Sequence, residues 1–169
     1  MRNATVTTIA PTGSIGVIAD CSSGIEPIFA LIYKRNVSDS MGKSFIEINK
    51  VVKDLLIEKG YTVEKIVKQI EEQGYLELPV TFEHIEIAND ISPIDHIRMQ
   101  AAFQKYVDNA VSKTINLPHD ATIHDIEKIY IEAYKQGCKG ITLYRNGSRD
   151  DQLLTSIESK KCSTGICEL

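Results

Sequence analysis

Ala4-Thr5-Val6-Thr7-Thr8-Ile9-Ala10-Pro11-Thr12-Gly13-Ser14-Ile15 is the stretch on which the reading of this chain turns. Apolar and hydroxylated positions alternate from Ala4 to Ile9 and predict a strand; the small residues that follow predict a tight turn. If Ser14-Ile15-Gly16-Val17-Ile18-Ala19 opens a helix, the turn's backbone N–H groups and the positive helix end converge on one spot. Such a spot stabilises an anion without any Lys or Arg. Gly13 lets the backbone come close to the anion, and the Thr12 and Ser14 hydroxyls add donors. An ordinary strand-to-helix turn with Ser14 as N-cap accounts for the same residues, and the local pattern does not choose between the two.

With 169 residues, 43% of them hydrophobic and 25% charged, the chain can bury one sizeable core, so one domain with a short tail is expected. The net charge of −4, with no basic run beyond Lys34-Arg35 and Lys160-Lys161, argues against a nucleic-acid partner. Any phosphate recognised here is bound locally. No apolar stretch approaches the roughly 20 residues that span a bilayer, and the N-terminus lacks a secretory pattern. A cytoplasmic location without membrane association is therefore expected. The 4 cysteines do not form a secreted disulfide framework in a chain of this size. Reduced thiols are expected, and the terminal pair is where an exception would fall.

Helical periodicity recurs along the chain behind recognisable starts. Ser44 with Glu47 forms a capping-box pattern, Thr62 precedes Val63-Glu64, Ser92-Pro93 is followed by Asp95, and Thr122 by Asp125. The first helix places Phe45, Ile48, Val51, Val52, Leu55 and Leu56 on one face before Gly60. The second does the same with Val63, Ile66, Val67 and Ile70 before Gly74, so residues of about 44–74 read as a helical hairpin. The third, from about Pro93 to Asn109, puts Met99, Ala102, Phe103, Tyr106, Val107 and Ala110 on a core-facing stripe. The fourth does so with Ile126, Ile129, Tyr130, Ala133 and Tyr134 before Gly137. Strand candidates are Ile28–Tyr33, Val111–Asn116 and Gly140–Tyr144, so the second half alternates helix and strand in the α/β manner. After Arg149 periodicity fades into a polar stretch expected to be a mobile tail. So few strands leave open sheet edges.

The blocks just quoted resemble a known family. Arg2 through Ile15, followed by Ser22-Ser23-Gly24-Ile25-Glu26-Pro27, closely resembles the late barrel segment of ribonucleotide reductase large subunits. Met99-Gln100-Ala101-Ala102-Phe103-Gln104 through Asp108-Asn109-Ala110-Val111-Ser112-Lys113-Thr114-Ile115-Asn116-Leu117-Pro118 is similar to the adenosylcobalamin-dependent class II members in particular. Gly137-Cys138-Lys139-Gly140-Ile141-Thr142-Leu143-Tyr144-Arg145-Asn146-Gly147-Ser148-Arg149 is similar to the segment that closes their last barrel strand. The resemblance implies the C-terminal part of a ten-stranded α/β barrel over residues 1–149, with the helical hairpin as an insertion, and a flexible redox tail over residues 150–169. It implies a piece of a larger reductase, which converts ribonucleotides to deoxyribonucleotides by radical chemistry and carries adenosylcobalamin in the complete enzyme. The implied partners are the ribonucleotide substrate, an upstream reductase chain or domain, and a thioredoxin-type reductant.

The family's radical cysteine, reducing cysteine pair, Asn and Glu match no position here, whereas its substrate phosphate loop maps onto Pro11, Thr12, Gly13, Ser14 and Ile15. Cys162 and Cys167, enclosing Ser163-Thr164-Gly165-Ile166, resemble the C-terminal dithiol that relays electrons to the active-site disulfide. Incidental tail thiols or half of a zinc site are the alternatives, although metal knuckles use tighter spacing and a second pair. Many class II chains also carry a tighter cysteine spacing at this place. Cys138 reads as a small packing thiol, and Cys21 has no activating His or Lys beside it. His84, His96, His119 and His124 lack ligand spacing, so no metal is expected and surface or capping roles suffice. Glu26 and Lys113 read as a buried ion pair or hydrogen bond that fixes the barrel. Arg145 and Arg149 are open to a phosphate or to tail acids. A non-catalytic nucleotide-binding or regulatory module derived from the reductase is the alternative function, and the terminal dithiol speaks against it. A stand-alone phosphatase-like or kinase-like enzyme is disfavoured, because there is no Gly-Lys-Ser/Thr loop, no nucleophile-base pair and no carboxylate cluster for Mg²⁺.

Overall fold

The structure, a computed structural model, describes residues 2–36, 44–78, 85–148, 154–157 and 159–161. In chain order the elements are α1 (Gly13–Ala19), β1 (Ile32–Asn36), β2 (Ser44–Ile48), α2 (Lys50–Glu58), α3 (Val63–Gln73) and β3 (Leu76–Leu78). There follow α4 (Pro93–Gln104), β4 (Thr114–Leu117), α5 (Ile123–Lys135), β5 (Thr142–Arg145), β6 (Leu154–Ser156) and β7 (Ser159–Lys161). They fall into two compact units, one of Met1–Ile28 with Ala88–Ser148 and one of Phe29–Ile87 with Arg149–Leu169.

The first unit is an α/β arrangement. β4 and β5 pair in parallel, from Thr114 opposite Thr142 to Leu117 opposite Arg145, and α5 makes the crossover between them. Ile115 and Leu117 bury against Ile97 of α4 and Ile129 and Ala133 of α5, with Cys138, Ile141 and Leu143 packed alongside. Each helix starts where its cap chemistry dictates. The Ser92 hydroxyl accepts from the Asp95 N–H at 3.2 Å, and Thr122 and Asp125 form the reciprocal capping box, with Asp125 Oδ2 accepting from the Thr122 N–H at 2.9 Å.

The buried faces of these two helices differ from the expected stripes. α4 ends at Gln104 rather than near Asn109, and buries His96, Ile97, Gln100, Ala101 and Gln104. Met99 and Phe103 are exposed, and Tyr106 is 85% exposed. On α5, Ile126, Ile129 and Ala133 face the core as expected, whereas Tyr130 and Tyr134 are exposed. The reason on α4 is hydrogen bonding. Gln100 Nε2 donates to the Val111 and Gly140 carbonyls at 3.1 and 2.7 Å, and Gln104 Nε2 to those of Val107 and Asn109 at 3.1 and 2.8 Å. Backbone acceptors outside the strand ladder need such partners, and the two amides supply them where an apolar face would not.

In the second unit, β2-β1-β6 is an antiparallel sheet and β3-β7 a parallel pair. Its core is Ile32, Val52, Leu56, Ile66, Ile70 and Leu76. The helical hairpin exists as α2 and α3, but it begins at Lys50. Ser44 to Ile48, expected as the first helical turns, is a strand. Glu47 accepts from the Tyr33 hydroxyl at 2.6 Å across the β1–β2 pair instead of closing a capping box, and Ile46 and Ile48 pack on the core. The cap falls to Asn49, which accepts from the Val51 N–H. The strand expected over Ile28–Tyr33 lies at Ile32–Asn36 instead. Of the segment expected to be a tail, Leu154–Ser156 and Ser159–Lys161 are strands, while Cys162, Cys167 and Arg149 lie outside the described residues. Among the described residues no helix is long and apolar enough to cross a membrane.

Candidate functional site

The stretch from Ala4 to Ile9 does not form the ladder strand that its alternation predicts. It runs alongside residues 108–112, joined by one parallel bridge between Ile9 and Val111. Asn109 N–H donates to Thr7 O at 3.1 Å and Ser112 N–H to Ile9 O at 2.9 Å. The Asp108 carboxylate fills in for a missing ladder: its Oδ2 accepts from the Val6 and Thr7 N–H groups at 3.0 and 3.2 Å. These bonds, the one from Val6 foremost, hold the Asp108 carboxyl below its ordinary pKa.

At the end of this segment the chain turns into α1, with Thr12 as N-cap in the left-handed conformation at φ 50 and ψ 25, and no side-chain cap bond. Ser14 is therefore not the cap. A β-branched residue in that region costs roughly 1–3 kcal/mol and persists only where its surroundings hold it. The first intrahelical bond is donated by the Gly16 N–H to Thr12 O at 2.8 Å. Helix geometry thus leaves the N–H groups of Gly13, Ser14 and Ile15 with no intrahelical acceptor. Pro11, Gly13, Ser14 and Ile15 are exposed, and a Cβ at Gly13 would meet nothing within 4 Å. The turn is open to solvent at Gly13.

A polar chain centred on the buried Lys113 joins Glu26, Thr114 and His96. Lys113 is 2% exposed, and its Nζ donates to Glu26 Oε2 at 2.7 Å, to the Thr114 carbonyl at 2.8 Å and to His96 Nδ1 at 2.8 Å. An ammonium offers three donors and no acceptor, so all three are used and His96 Nδ1 accepts. The His96 proton then sits on Nε2, which donates to the Ala88 carbonyl at 3.0 Å. The other carboxylate oxygen, Glu26 Oε1, accepts from the Thr114 N–H at 2.6 Å. Burial, and next the Lys113 charge, push the His96 pKa below its ordinary value. Glu26 and Lys113 thus form the ion pair expected of them. His96 does not have the surface or capping role expected of it: it is 1% exposed and belongs to the same network. The signal was present as His96, Gln100 and Gln104 at four-residue spacing, a polar stripe on one face of α4.

The other singled-out residues lie apart from this chemistry. Cys138 packs against the first unit's core, and burial raises its pKa, as suits a packing thiol; Cys21 is exposed. Arg145 Nη1 donates to the His119 carbonyl at 2.8 Å. Among the described residues no group of three His, Cys, Asp or Glu is placed to hold a metal ion.

Comparison with known proteins places the chain in a family. The family "Ribonucleotide reductase, barrel domain" matches residues 1–144. A vitamin B12-dependent ribonucleoside-diphosphate reductase of Thermoplasma acidophilum is 46% identical over 167 residues, covering 95% of this chain and 22% of that protein. One from Mycobacterium tuberculosis is 42% identical over 164 residues, covering 94% of this chain and 23% of that protein. Among solved structures, the Actinobacillus ureae class Id ribonucleotide reductase alpha subunit superposes with a TM-score of 0.56 at 23% identity, covering 81% of this chain and 25% of that one. That likeness supports the α/β barrel fold. The chain spans somewhat over a fifth of the length of these curated relatives, and within that span it belongs to the barrel-domain family of the ribonucleotide reductases.

Proposed function

We propose that this chain serves ribonucleotide reduction by anchoring the phosphates of a ribonucleotide on the Pro11–Ile15 turn. The observation that carries the reading is the turn itself: Thr12 is held left-handed, three N–H groups have no intrahelical acceptor, and Gly13 stands in open space. Backbone donors at a helix start bind phosphate oxygens, and the anchored phosphates set where the ribose lies. Holding the ribose in register with the radical-bearing group supplies orientation, a large share of what an enzyme contributes to such a step. The relatives are named vitamin B12-dependent, and in the complete enzyme adenosylcobalamin would supply the radical chemistry when bound. Both ring nitrogens of the buried His96 are engaged in hydrogen bonds, so that imidazole is not available as a metal ligand.

The substitution Gly13→Val tests the anchor. Gly13 lacks a positive φ and its Cβ space is empty, so valine fits the fold while its branches cover the N–H groups. In the reductase assembled with the upstream barrel portion, we expect Gly13→Val to raise the KM for the nucleotide. Unchanged nucleotide affinity rejects the anchor.

The second part of the proposal is the Cys162–Cys167 dithiol. Its two thiols give two electrons and two protons to the active-site disulfide, become a disulfide themselves, and are reduced again by a thioredoxin-type dithiol in the cytoplasm. Changing both to Ser is expected to abolish multiple turnover with thioredoxin while sparing turnover with dithiothreitol, which enters without the tail. Equal loss with both reductants would show a structural role instead.

A further inference from the structure

We propose that the buried Glu26–Lys113–His96 chain positions the Pro11–Ile15 turn for the substrate's phosphates, making these three positioning residues for substrate binding. The inference rests on the phosphate-anchor reading above and adds to it what holds the anchor in place.

The network reaches the turn from both sides. On one side, Lys113 directly follows Ser112, whose N–H donates to Ile9 O, and Val111, which bridges Ile9. The lead-in to the turn is thus tied to the backbone that carries Lys113. On the other side, Glu26 lies two residues after Gly24, which packs beneath the turn at φ +54. A Cβ there would sit 3.3 Å from Ala10 O and 3.8 Å from Thr12 Oγ1. Farther back in the same loop, the Cys21 carbonyl and Ser23 lie so close to Gly16 of α1 that a side chain at Gly16 would collide with Ser23 Oγ. The loop from Cys21 to Glu26 is therefore a bracket around the turn and the first turns of α1. Its far end is fixed by Glu26, whose two carboxylate oxygens take the Lys113 ammonium and the Thr114 N–H.

The bracket lies against the strained Thr12 turn: Gly24 sits beside the Ala10 carbonyl and the Thr12 side chain, and the charge pair two residues on anchors the loop that carries it. His96 completes the assembly by accepting the third ammonium proton and tethering the network to the Ala88 carbonyl, so an otherwise buried cation has every donor satisfied.

The test uses the reductase assembled from this chain and the upstream barrel portion, with cytidine diphosphate as the probe. Glu26→Gln keeps the volume and an acceptor for Thr114 but removes the charge opposite Lys113. We expect KM to rise about tenfold, with any fall in kcat smaller than that rise because the ribose is held less well in register. A merely structural role would lower kcat with the folded fraction and leave KM alone. Gly13→Val is run in parallel. If Gly13→Val raises KM and folded Glu26→Gln does not, the positioning role alone fails; if Gly13→Val leaves KM unchanged, the anchor reading itself fails. Should Glu26→Gln not fold, the unsubstituted enzyme decides. Nucleotide binds only the closed, native arrangement of the turn, so saturating cytidine diphosphate is expected to slow exchange of the Thr114 amide about tenfold. Unaltered exchange at saturating nucleotide overturns the proposal.

Discussion

At the scale of single residues, charge placement makes this chain sensitive to acid in two ranges. His96 faces the Lys113 ammonium and the Glu26 carboxylate, with Asp95 on its own helix, and burial lowers its pKa in the fold. The folded state therefore binds that proton less readily than the unfolded chain does. The stability from neutral His96 is fully present above an ordinary histidine pKa of about 6.5 and is lost as pH falls below it. Asp108, Asp125 and Asp95 have lowered pKa values, caused chiefly by the bonds from the Val6 N–H, the Thr122 hydroxyl and the Ser92 hydroxyl respectively. Their contribution is present above the ordinary carboxylate value of about 3.9 and is lost as pH falls through the folded values. We expect the thermal midpoint to decline in two separate pH ranges, and His96→Gln to flatten the upper one. A single decline confined to the carboxylate range would contradict the assignment of a neutral, acceptor His96.

At the scale of elements, what was legible in the sequence is what local chemistry decides. Ser92, Thr62 and Thr122 with Asp125 mark helix starts because a cap needs only a hydroxyl or carboxylate within one turn, and all three cap as read. Ser44 with Glu47 has the same letters yet lies in β2, because the partner that claims Glu47 is Tyr33 on β1. Cross-strand pairing of that kind is invisible in a local window. The α4 face shows the same limit in another form. Hydrophobic periodicity selects Met99 and Phe103, whereas the buried face is fixed by carbonyls of residues 107–111 and 140 that require donors from Gln100 and Gln104. Two substitutions separate these views. Met99→Gln is expected to change stability by less than about 0.5 kcal/mol, as at other exposed positions. Gln100→Ala strands the Val111 and Gly140 acceptors and is expected to cost about 1–3 kcal/mol by denaturant unfolding. The reverse order would restore the apolar stripe as the buried face.

At the scale of the molecule, the Pro11–Ile15 turn stood out by family likeness and the polar chain near it did not, since Glu26, Lys113 and His96 meet only when segments 87 residues apart in sequence come together. The same long-range economy bears on what the chain does by itself. Among the described residues the parallel sheet of the first unit has two strands, β4 and β5, with the Ala4–Ile9 stretch only bridged beside it. Two strands leave backbone donors and acceptors along open edges, where a further strand satisfies them at little cost. Two strands also enclose no interior in which a radical is shielded from solvent. The curated relatives have nearly four-fifths of their length outside the part that this chain spans. We therefore expect no ribonucleotide reduction from this chain alone. Mixed with a chain carrying the earlier barrel portion, together with adenosylcobalamin and a reductant, it is expected to associate by extending the sheet edge and to restore deoxyribonucleotide formation. Size-exclusion chromatography and a product assay read the two events separately. Robust reduction by this chain alone, or no association with a matching upstream chain, would overturn the placement of the phosphate turn within a shared barrel.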